Sequence, residues 1–339
     1  MPESSSSAFN DVEQFEAAFP AGRLNLLLGS GRFEAHVTRV ALPQLTLFGC
    51  SETLPAIAHI ALRKQTAGLV FPTAENLPAR VAGLDLRIGE VAVLGLGQRF
   101  HLCTPPLFSW GLILFGRKEL NRWLGSRNVG QCVARLAPPH AVMRRLLRLC
   151  RRAGQAARTT PELVSDPGPA SELEQALKET LALCLAEGTL HKLRPSCRDH
   201  GDIIERLEDV VRAGIRPSLR SSGLAALLGV SSRTLRLCCQ EHLGMAPDQY
   251  VRLWRLNMAR RMLLRSSPDV TTVREIAMQC GFPELGRFAV LFRSTFGEAP
   301  STALRNLPGA ISHGENNRSC FPGLSQPFDE PHASQHDAR

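Results

Sequence analysis

Residues 223–247 read GLAALLGVSSRTLRLCCQEHLGMAP, and residues 274–300 read REIAMQCGFPELGRFAVLFRSTFGEAP. The two stretches align along their whole length, with one extra residue in the second turn. The aligned pairs are Ala225 with Ala277, Gly229 with Gly281, Leu235 with Phe288, Cys239 with Phe292, Leu243 with Phe296, Gly244 with Gly297 and Pro247 with Pro300. The repeat predicts two copies of a unit made of a helix, a glycine turn and a second helix.

The second helix of each copy has apolar residues four positions apart, which bury one face and leave the opposite face for a ligand. The DNA major groove admits one helix and is read by exposed side chains near the N-terminal half of that helix. The residues predicted to face DNA are Ser232, Arg233, Arg236, Leu237 and Gln240 in the first copy, and Leu285, Gly286, Arg287, Val290 and Arg293 in the second. Arginine binds guanine through two hydrogen bonds or binds phosphate. Arg233, Arg236 and Arg287 are therefore the predicted base-reading residues, with phosphate contact or plain solvation as the alternative for each.

Residues 246–267, APDQYVRLWRLNMARRMLLRSS, join the two copies and have the apolar pattern of one long buried helix. Such a helix holds two reading helices at a constant separation. If that separation is about one turn of DNA, roughly 34 Å, a single protomer enters two successive major grooves.

Five motifs of this region closely resemble the AraC/XylS family of bacterial transcription regulators. They are GVSSRTL, HLGMAP, RLNMARRMLL, EIAMQCGF and RFAVLFRSTFGEAPS. The resemblance covers about the last hundred structured residues and implies promoter DNA as a partner, an upstream cupin-like domain for a small-molecule effector, activation through RNA polymerase, and a homodimer. The family often has a basic residue where Leu237 and Val290 stand. Gly286 and Val290 leave the second reading helix poorer in hydrogen-bonding groups, so the first copy is expected to discriminate bases more strongly than the second.

The rest of the chain has a different pattern. Short β-favouring runs between Gly and Pro residues extend from Phe9 to about Phe115 and predict an antiparallel sandwich or small barrel. The predicted fold class is thus multidomain α and β, with a β-rich cupin-like half, helical connectors and an all-α double helix-turn-helix domain. The predicted segments are a disordered N-terminus (1–8), a sensing and dimerising domain (9–158), a helical connector (159–200), the DNA-binding domain (201–308) and a disordered tail (309–339).

The basic segment Arg117–Arg158 contains eleven Lys or Arg residues against one acidic residue, Glu119. Its AVMRRLLRLC stretch predicts an apolar helical stripe beside arginines. Such a stripe is typical of a dimer helix or of a helix packed on its own β-domain, and the sequence leaves both open.

The composition of the chain limits the partners and the kinds of site that we expect. The net charge of +9 favours a polyanionic partner only weakly. The ten cysteines lack the paired spacing of a structural zinc site, and His36, His59 and His101 lie far apart in sequence, so we expect no bound metal, no cofactor and no catalytic residue. A secretory signal and a membrane-spanning run are also not expected, which predicts a cytoplasmic, non-enzymatic protein.

Two other functions remain as alternatives. Some DNA-repair proteins that accept methyl groups on cysteine carry a related helix-turn-helix module, but they need an activated cysteine, and Cys50 is the first one here. A non-specific architectural DNA-binding protein would need charge but not two ordered reading helices.

Overall fold

The β-rich and helical halves predicted from the sequence are both present. A computed structural model of the chain describes residues 4–19, 22–74, 77–124, 133–160, 164, 166–191, 195–213 and 221–305. The described strands form two antiparallel sheets in the N-terminal half, and the C-terminal half is helical. The predicted fold class is confirmed.

The larger sheet has eight described strands. In spatial order they are β1 (Ser5–Phe9), β3 (Ala35–Ala41), β4 (Leu45–Glu52), β11 (Phe108–Gly116), β6 (Thr66–Pro72), β9 (Val91–Leu94), β12 (Ala134–Ala137) and β13 (Thr189–His191). The smaller sheet has five, in the order β2 (Gly22–Leu27), β5 (Ala56–Ala61), β10 (Arg99–Thr104), β7 (Ala79–Val81) and β8 (Leu84–Leu86).

The larger sheet separates two apolar cores. Along β11, Trp110 and Leu112 point into one core, and Ile113 and Phe115 point into the other. We call these the central core and the outer core. Successive side chains of a strand alternate between the two faces of its sheet, and β11 is apolar on both faces because both are covered.

The smaller sheet also has two covered faces. Ala58 and Ile60 of β5 belong to the central core, whereas Ile57, which precedes Ala58, belongs to a third core, as does Leu26 of β2. This third core, here called the helical core, also contains Leu235 from the first copy of the repeat. The smaller sheet therefore has the central core on one side and the helical half on the other.

Four helices belong to the N-terminal half as described. They are α1 (Val12–Ala17), α2 (Arg117–Leu124), α3 (His140–Thr159) and α4 (Pro167–Glu187). Met143 and Leu146 of α3 are buried in the outer core together with Leu181 of α4. The basic helix of the sequence thus packs on its own β-domain, the second of the two interpretations left open.

The helices of the C-terminal half begin close to the predicted domain start. They are α5 (Pro195–Arg212), α6 (Ser221–Leu227), α7 (Ser232–Leu243), α8 (Pro247–Arg265), α9 (Val273–Gln279), α10 (Leu285–Phe296) and α11 (Pro300–Arg305). The long helix α8 joins two cores, because Trp254 lies in the helical core while Leu256 and Leu263 lie in the central core with Phe288.

The prediction of disorder for residues 1–8 is wrong for Ser5 to Ala8, which belong to a strand that ends at Phe9. This segment forms β1, which pairs antiparallel with β3 from Ser5 opposite Arg39 to Phe9 opposite Ala35. The serines of β1 are exposed and contribute little apolar burial. Strand pairing uses backbone groups, so an open sheet edge can order a polar segment that composition alone marks as unstructured.

The described part of the predicted connector, residues 159–200, packs against the β-rich half. Helix α4 packs in the outer core, and β13 extends the larger sheet by pairing with β12. The tail predicted for 309–339 lies outside the described residues. None of the described helices combines the length and the apolar character that a membrane span requires.

Candidate nucleic-acid interface

The first helix-turn-helix unit is formed by α6, its turn and α7. Gly229 in the turn has a φ of 66°, a left-handed conformation that glycine adopts without steric cost. Ser231 caps α7 by accepting a hydrogen bond from the Thr234 backbone N–H at 3.0 Å. The helix ends at Gly244, which is also left-handed, with a φ of 73°. The first unit therefore has a glycine turn, a side-chain N-cap and a glycine at the end of its second helix.

The second unit, formed by α9, its turn and α10, has the same dimensions. Helices α6 and α9 each contain seven residues, and α7 and α10 each contain twelve. Thr272 and Glu275 close a capping box at the start of α9. Gly281 and Gly297 are left-handed, with φ of 81° and 78°, at the positions aligned with Gly229 and Gly244. The sequence repeat is thus also a repeat in backbone conformation.

Each reading helix buries the face that the alignment assigns to the core. Leu235 and Cys239 of α7 and Phe288 and Phe292 of α10 are fully buried. All ten residues predicted to face DNA are exposed: Ser232, Arg233, Arg236, Leu237, Gln240, Leu285, Gly286, Arg287, Val290 and Arg293. Both outward faces are therefore accessible to a ligand outside the protein.

The arginines on these faces have no acidic partner among the described residues. Among the described residues, Arg233, Arg236, Arg287 and Arg293 form no ion pair with a carboxylate. Leu237 and Val290 leave 53% and 69% of their surface exposed, so both apolar side chains are accessible to a ligand.

The β-rich half contacts α7 and α10 at their C-terminal ends. The Arg80 guanidinium on β7 donates a 3.2 Å hydrogen bond to the Gln240 carbonyl and lies against Gly244. At the equivalent place in the second unit, a Cβ added to Gly297 would lie 3.0 Å from the Cβ of Ser30. Both C-terminal ends are thus held, while the N-terminal halves of α7 and α10 stay exposed.

The middle of α8 is attached to the edge strand of the smaller sheet. The Asn257 side chain accepts a hydrogen bond from the Leu27 N–H at 2.9 Å and donates one to the Leu27 carbonyl at 3.2 Å, as a neighbouring strand would. Arg261 donates to both carboxylate oxygens of Glu16, at 3.0 and 2.6 Å. Burial raises the pKa of Glu16, and Arg261 opposes that shift. Sequence reasoning did not predict these contacts, because only the tertiary fold brings the partners together.

A buried polar cluster lies between α5 and the smaller sheet. His59 of β5 and His101 of β10 are directly opposite in the antiparallel pair, and the Glu208 carboxylate of α5 contacts both rings. Burial lowers the pKa of His101 to about 3. Burial alone would raise the pKa of Glu208, but His101, His59 and Arg212 outweigh it and lower the value to about 2.

The sequence contained one signal for this cluster. Alternation along β5 and β10 puts His59 and His101 on the same faces as Ile57 and Cys103, opposite the face of Phe100 and Leu102. The third histidine considered in the sequence, His36, is exposed on β3 and does not join them. Their separation in the sequence therefore did not predict that two of the three histidines, His59 and His101, meet in the fold.

The helix-turn-helix assignment agrees with known proteins. The model of a helix-turn-helix domain matches residues 224–306. A probable thc operon regulatory protein of Rhodococcus erythropolis is 37% identical over 106 residues, 31% of this chain and 32% of that protein. The XylDLEGF operon transcriptional activator 2 of Pseudomonas putida is 35% identical over 100 residues, 30% of this chain and 64% of that protein. Residues 224–306 are thus an AraC-type helix-turn-helix domain, similar to the domains of these operon regulators.

Solved AraC-type structures are also similar to parts of the chain. A transcriptional regulator with an AraC-type DNA-binding domain from Chromobacterium violaceum is 26% identical and covers 33% of this chain and 99% of that chain, with a TM-score of 0.30. The AraC-like transcriptional activator CuxR is 12% identical and covers 82% of this chain and 100% of that chain, with a TM-score of 0.41. The chain spans 32% and 64% of the lengths of the two curated relatives named above.

Six of the seven described cysteines lie in surroundings that raise the pKa of the thiol. Burial raises the pKa of Cys238 to about 11 and that of Cys103, Cys150, Cys184 and Cys239 to about 12. The pKa of Cys50 is raised further, also by burial. Since the thiolate is the nucleophile, these environments do not favour the cysteine chemistry of methyl-accepting repair proteins.

Proposed function

We propose that the protein is a sequence-specific, effector-responsive activator that reads two successive major grooves with α7 and α10. The observation that carries this proposal is the matched pair of units, alike in helix length, glycine turns and exposed face, on either side of the single helix α8. A non-specific DNA-binding protein needs positive charge but has no use for two equivalent, ordered reading faces.

The two faces differ in what they offer to bases. In α7, Arg233, Arg236 and Gln240 supply hydrogen-bonding groups suited to guanine and adenine edges. In α10, Arg287 is the main polar group near the N-terminus, while Leu285 and Val290 are suited to thymine methyl groups. The first unit therefore contributes more of the base discrimination in this proposal.

Effector response is proposed to act through the contacts at the C-terminal ends of the reading helices. Because Arg80 meets the end of α7 and Ser30 meets the end of α10, a shift between these two parts of the sensing half would change the relative placement of the reading helices. A small molecule that favours one arrangement then favours occupancy of sites with the matching spacing.

Activation, RNA polymerase contact and homodimerisation belong to the same proposal. Support for activation comes from the relatives, since the P. putida protein is named an operon transcriptional activator and that of Pectobacterium atrosepticum is named transcriptional activator RhaS. The family resemblance supports polymerase as the partner and a homodimer on paired half-sites.

Footprinting of genomic fragments selected with the purified full chain tests the function. Two protected segments per protomer, about one DNA turn or roughly 34 Å apart on one side of the duplex, are expected. Protection of one groove segment alone would overturn the two-unit mechanism. Equal competition by selected and random DNA at constant salt would instead identify an architectural DNA-binding protein, and alkyl transfer from damaged DNA would identify the repair activity.

A further inference from the structure

Three metal-ligating groups converge where the helical half meets the smaller sheet. One nitrogen of His59, one of His101 and one carboxylate oxygen of Glu208 all lie within 4.8 Å of one another. His59 and His101 are cross-strand partners, so their side chains leave the sheet on the same face, and their ring centroids are 4.7 Å apart. Each of the three residues is only 3% exposed.

The donor set matches a particular class of ion. Two imidazole nitrogens and one carboxylate oxygen suit divalent first-row metals, and His₂Glu is a known zinc donor set in proteins, with a fourth position left for another ligand. Hard ions such as Mg²⁺ and Ca²⁺ prefer all-oxygen sites, which these residues do not supply.

The surroundings of the donors orient them. The Nδ1 atom of His59 faces Glu208, and its other nitrogen, Nε2, lies 3.3 Å from the Tyr250 hydroxyl on α8. The second oxygen of Glu208 lies 3.8 Å from guanidinium nitrogens of both Arg99 and Arg212. A hydrogen bond to the far nitrogen of a ligating histidine, and polar partners on a ligating carboxylate, are the usual second layer of a metal site.

From this geometry we infer that His59, His101 and Glu208 bind one divalent transition-metal ion, with Zn²⁺ the best fit. The ion would join the sensing half to the DNA-binding half, because two ligands come from β5 and β10 and the third comes from α5. This inference replaces the expectation of no metal, which rested on the separation of the histidines along the chain. Its consequence for DNA binding rests on the proposed function, but the binding of the ion does not.

The first experiment measures metal binding by the untagged full chain without DNA. After chelation and dialysis, the protein is titrated with Zn²⁺ under competition from a chromogenic chelator, and the bound metal is counted by elemental analysis. One ion per chain is expected. X-ray absorption should show two nitrogen donors at about 2.0–2.1 Å. A chain that retains no metal against the competitor would overturn the inference.

Substitutions locate the ion. Glu208→Gln and His101→Gln preserve approximate side-chain volume and should each abolish the stoichiometric binding, whereas His36→Gln, at an exposed histidine of the same domain, should leave it unchanged. Tyr250→Phe keeps all three donors and should weaken Zn²⁺ by about 10- to 100-fold. If the Glu208→Gln or His101→Gln protein, folded by circular dichroism, still binds one ion with wild-type affinity, the site lies elsewhere and the inference is wrong.

A separate measurement tests whether the ion joins the two halves of the chain. Zn²⁺ that binds only the docked, folded chain should raise the melting temperature and slow amide exchange in residues 203–211 of α5, and neither change should occur in Glu208→Gln. Slowed exchange of equal size in Glu208→Gln would overturn the joining role. Since DNA is absent from these measurements, a failure of the proposed promoter reading would leave them unaffected.

Discussion

Arg23 and the arginines on the outward faces of α7 and α10 lie in opposite surroundings. Those on the outward faces of α7 and α10 are exposed, whereas Arg23 is buried among Phe15, Phe19 and Trp110, with its guanidinium carbon 4.5, 4.5 and 5.1 Å from the ring centroids. The helical spacing of the repeat predicted the first group. The burial of Arg23 could not be predicted, because the rings and the carboxylate that surround it come from separate elements.

Base reading by α7 can be tested one side chain at a time. Arg233→Ala or Arg236→Ala should cost about 1–3 kcal/mol on the preferred sequence and relax preference at one base pair if the guanidinium binds guanine through two hydrogen bonds. Binding constants against all single-base variants of the selected site measure this. Arg252→Ala, an exposed arginine of α8, serves as the control. A uniform loss over all sequences would instead identify a phosphate contact.

Removing the partner of Arg23 should destabilise the sensing half. The Glu52 carboxylate accepts from Arg23 at 2.9 Å and from the Trp110 indole N–H at 2.8 Å, and both charged side chains are buried. Glu52→Ala leaves an unpaired buried cation and should lower the free energy of unfolding by about 3–5 kcal/mol. The midpoint of urea unfolding at constant m-value gives the measurement.

Two control variants identify the cause of this loss of stability in Glu52→Ala. Replacing both partners, Arg23→Met with Glu52→Leu, should restore much of the stability, because the desolvation of an unpaired charge is the main cost. Glu34→Ala removes an exposed ion-pair partner of Arg32 and should cost less than about 1 kcal/mol. A Glu52→Ala protein as stable as Glu34→Ala would show that the buried pair contributes nothing.

At the scale of elements, the two units depend on turns that the glycine positions predict. Gly229 and Gly281 have left-handed backbones in aligned turns, and Gly244 and Gly297 end the aligned reading helices. The sequence predicted these elements well because caps and turns act within a few residues. It predicted β1 poorly, since the order of that strand comes from β3, about thirty positions further along the chain.

A pair of glycine substitutions separates backbone strain from crowding. A Cβ at Gly229 or at Gly286 would meet no atom within 4 Å, but only Gly229 has a positive φ. Gly229→Ala should therefore destabilise the protein by about 1–2 kcal/mol. Gly286→Ala, within helix α10, should be neutral or stabilise by up to about 1 kcal/mol. Thermal unfolding of both variants makes the comparison, and a loss at Gly286 equal to that at Gly229 would refute the strain argument.

At the scale of the whole molecule, the helical half covers what would otherwise be an open sheet edge. β2 lies at one end of the smaller sheet, and the Asn257 side chain of α8 pairs with the Leu27 backbone there. Backbone groups on an uncovered edge strand invite pairing with another chain, so this contact both attaches α8 and protects the edge.

Amide exchange tests the attachment directly. Asn257→Ala removes the acceptor of the Leu27 N–H and should accelerate exchange of that amide roughly tenfold, which corresponds to about 1.4 kcal/mol. Hydrogen exchange followed by NMR resolves the single site. Arg252→Ala, on the exposed face of the same helix, should leave the rate unchanged. An unaltered Leu27 rate in Asn257→Ala would mean that α8 does not hold this edge.

The sequence by itself determined the two helix-turn-helix units, their exposed reading faces, and the β-rich character of the N-terminal half. These features follow from spacing, caps and turns, which act between residues close together in the chain. The tertiary structure alone decided which distant groups meet: Glu208 with His101 across 107 positions, and Asn257 with Leu27 across 230. Such contacts depend on the order of strands and on the docking of the helical half, which no local pattern of residues encodes.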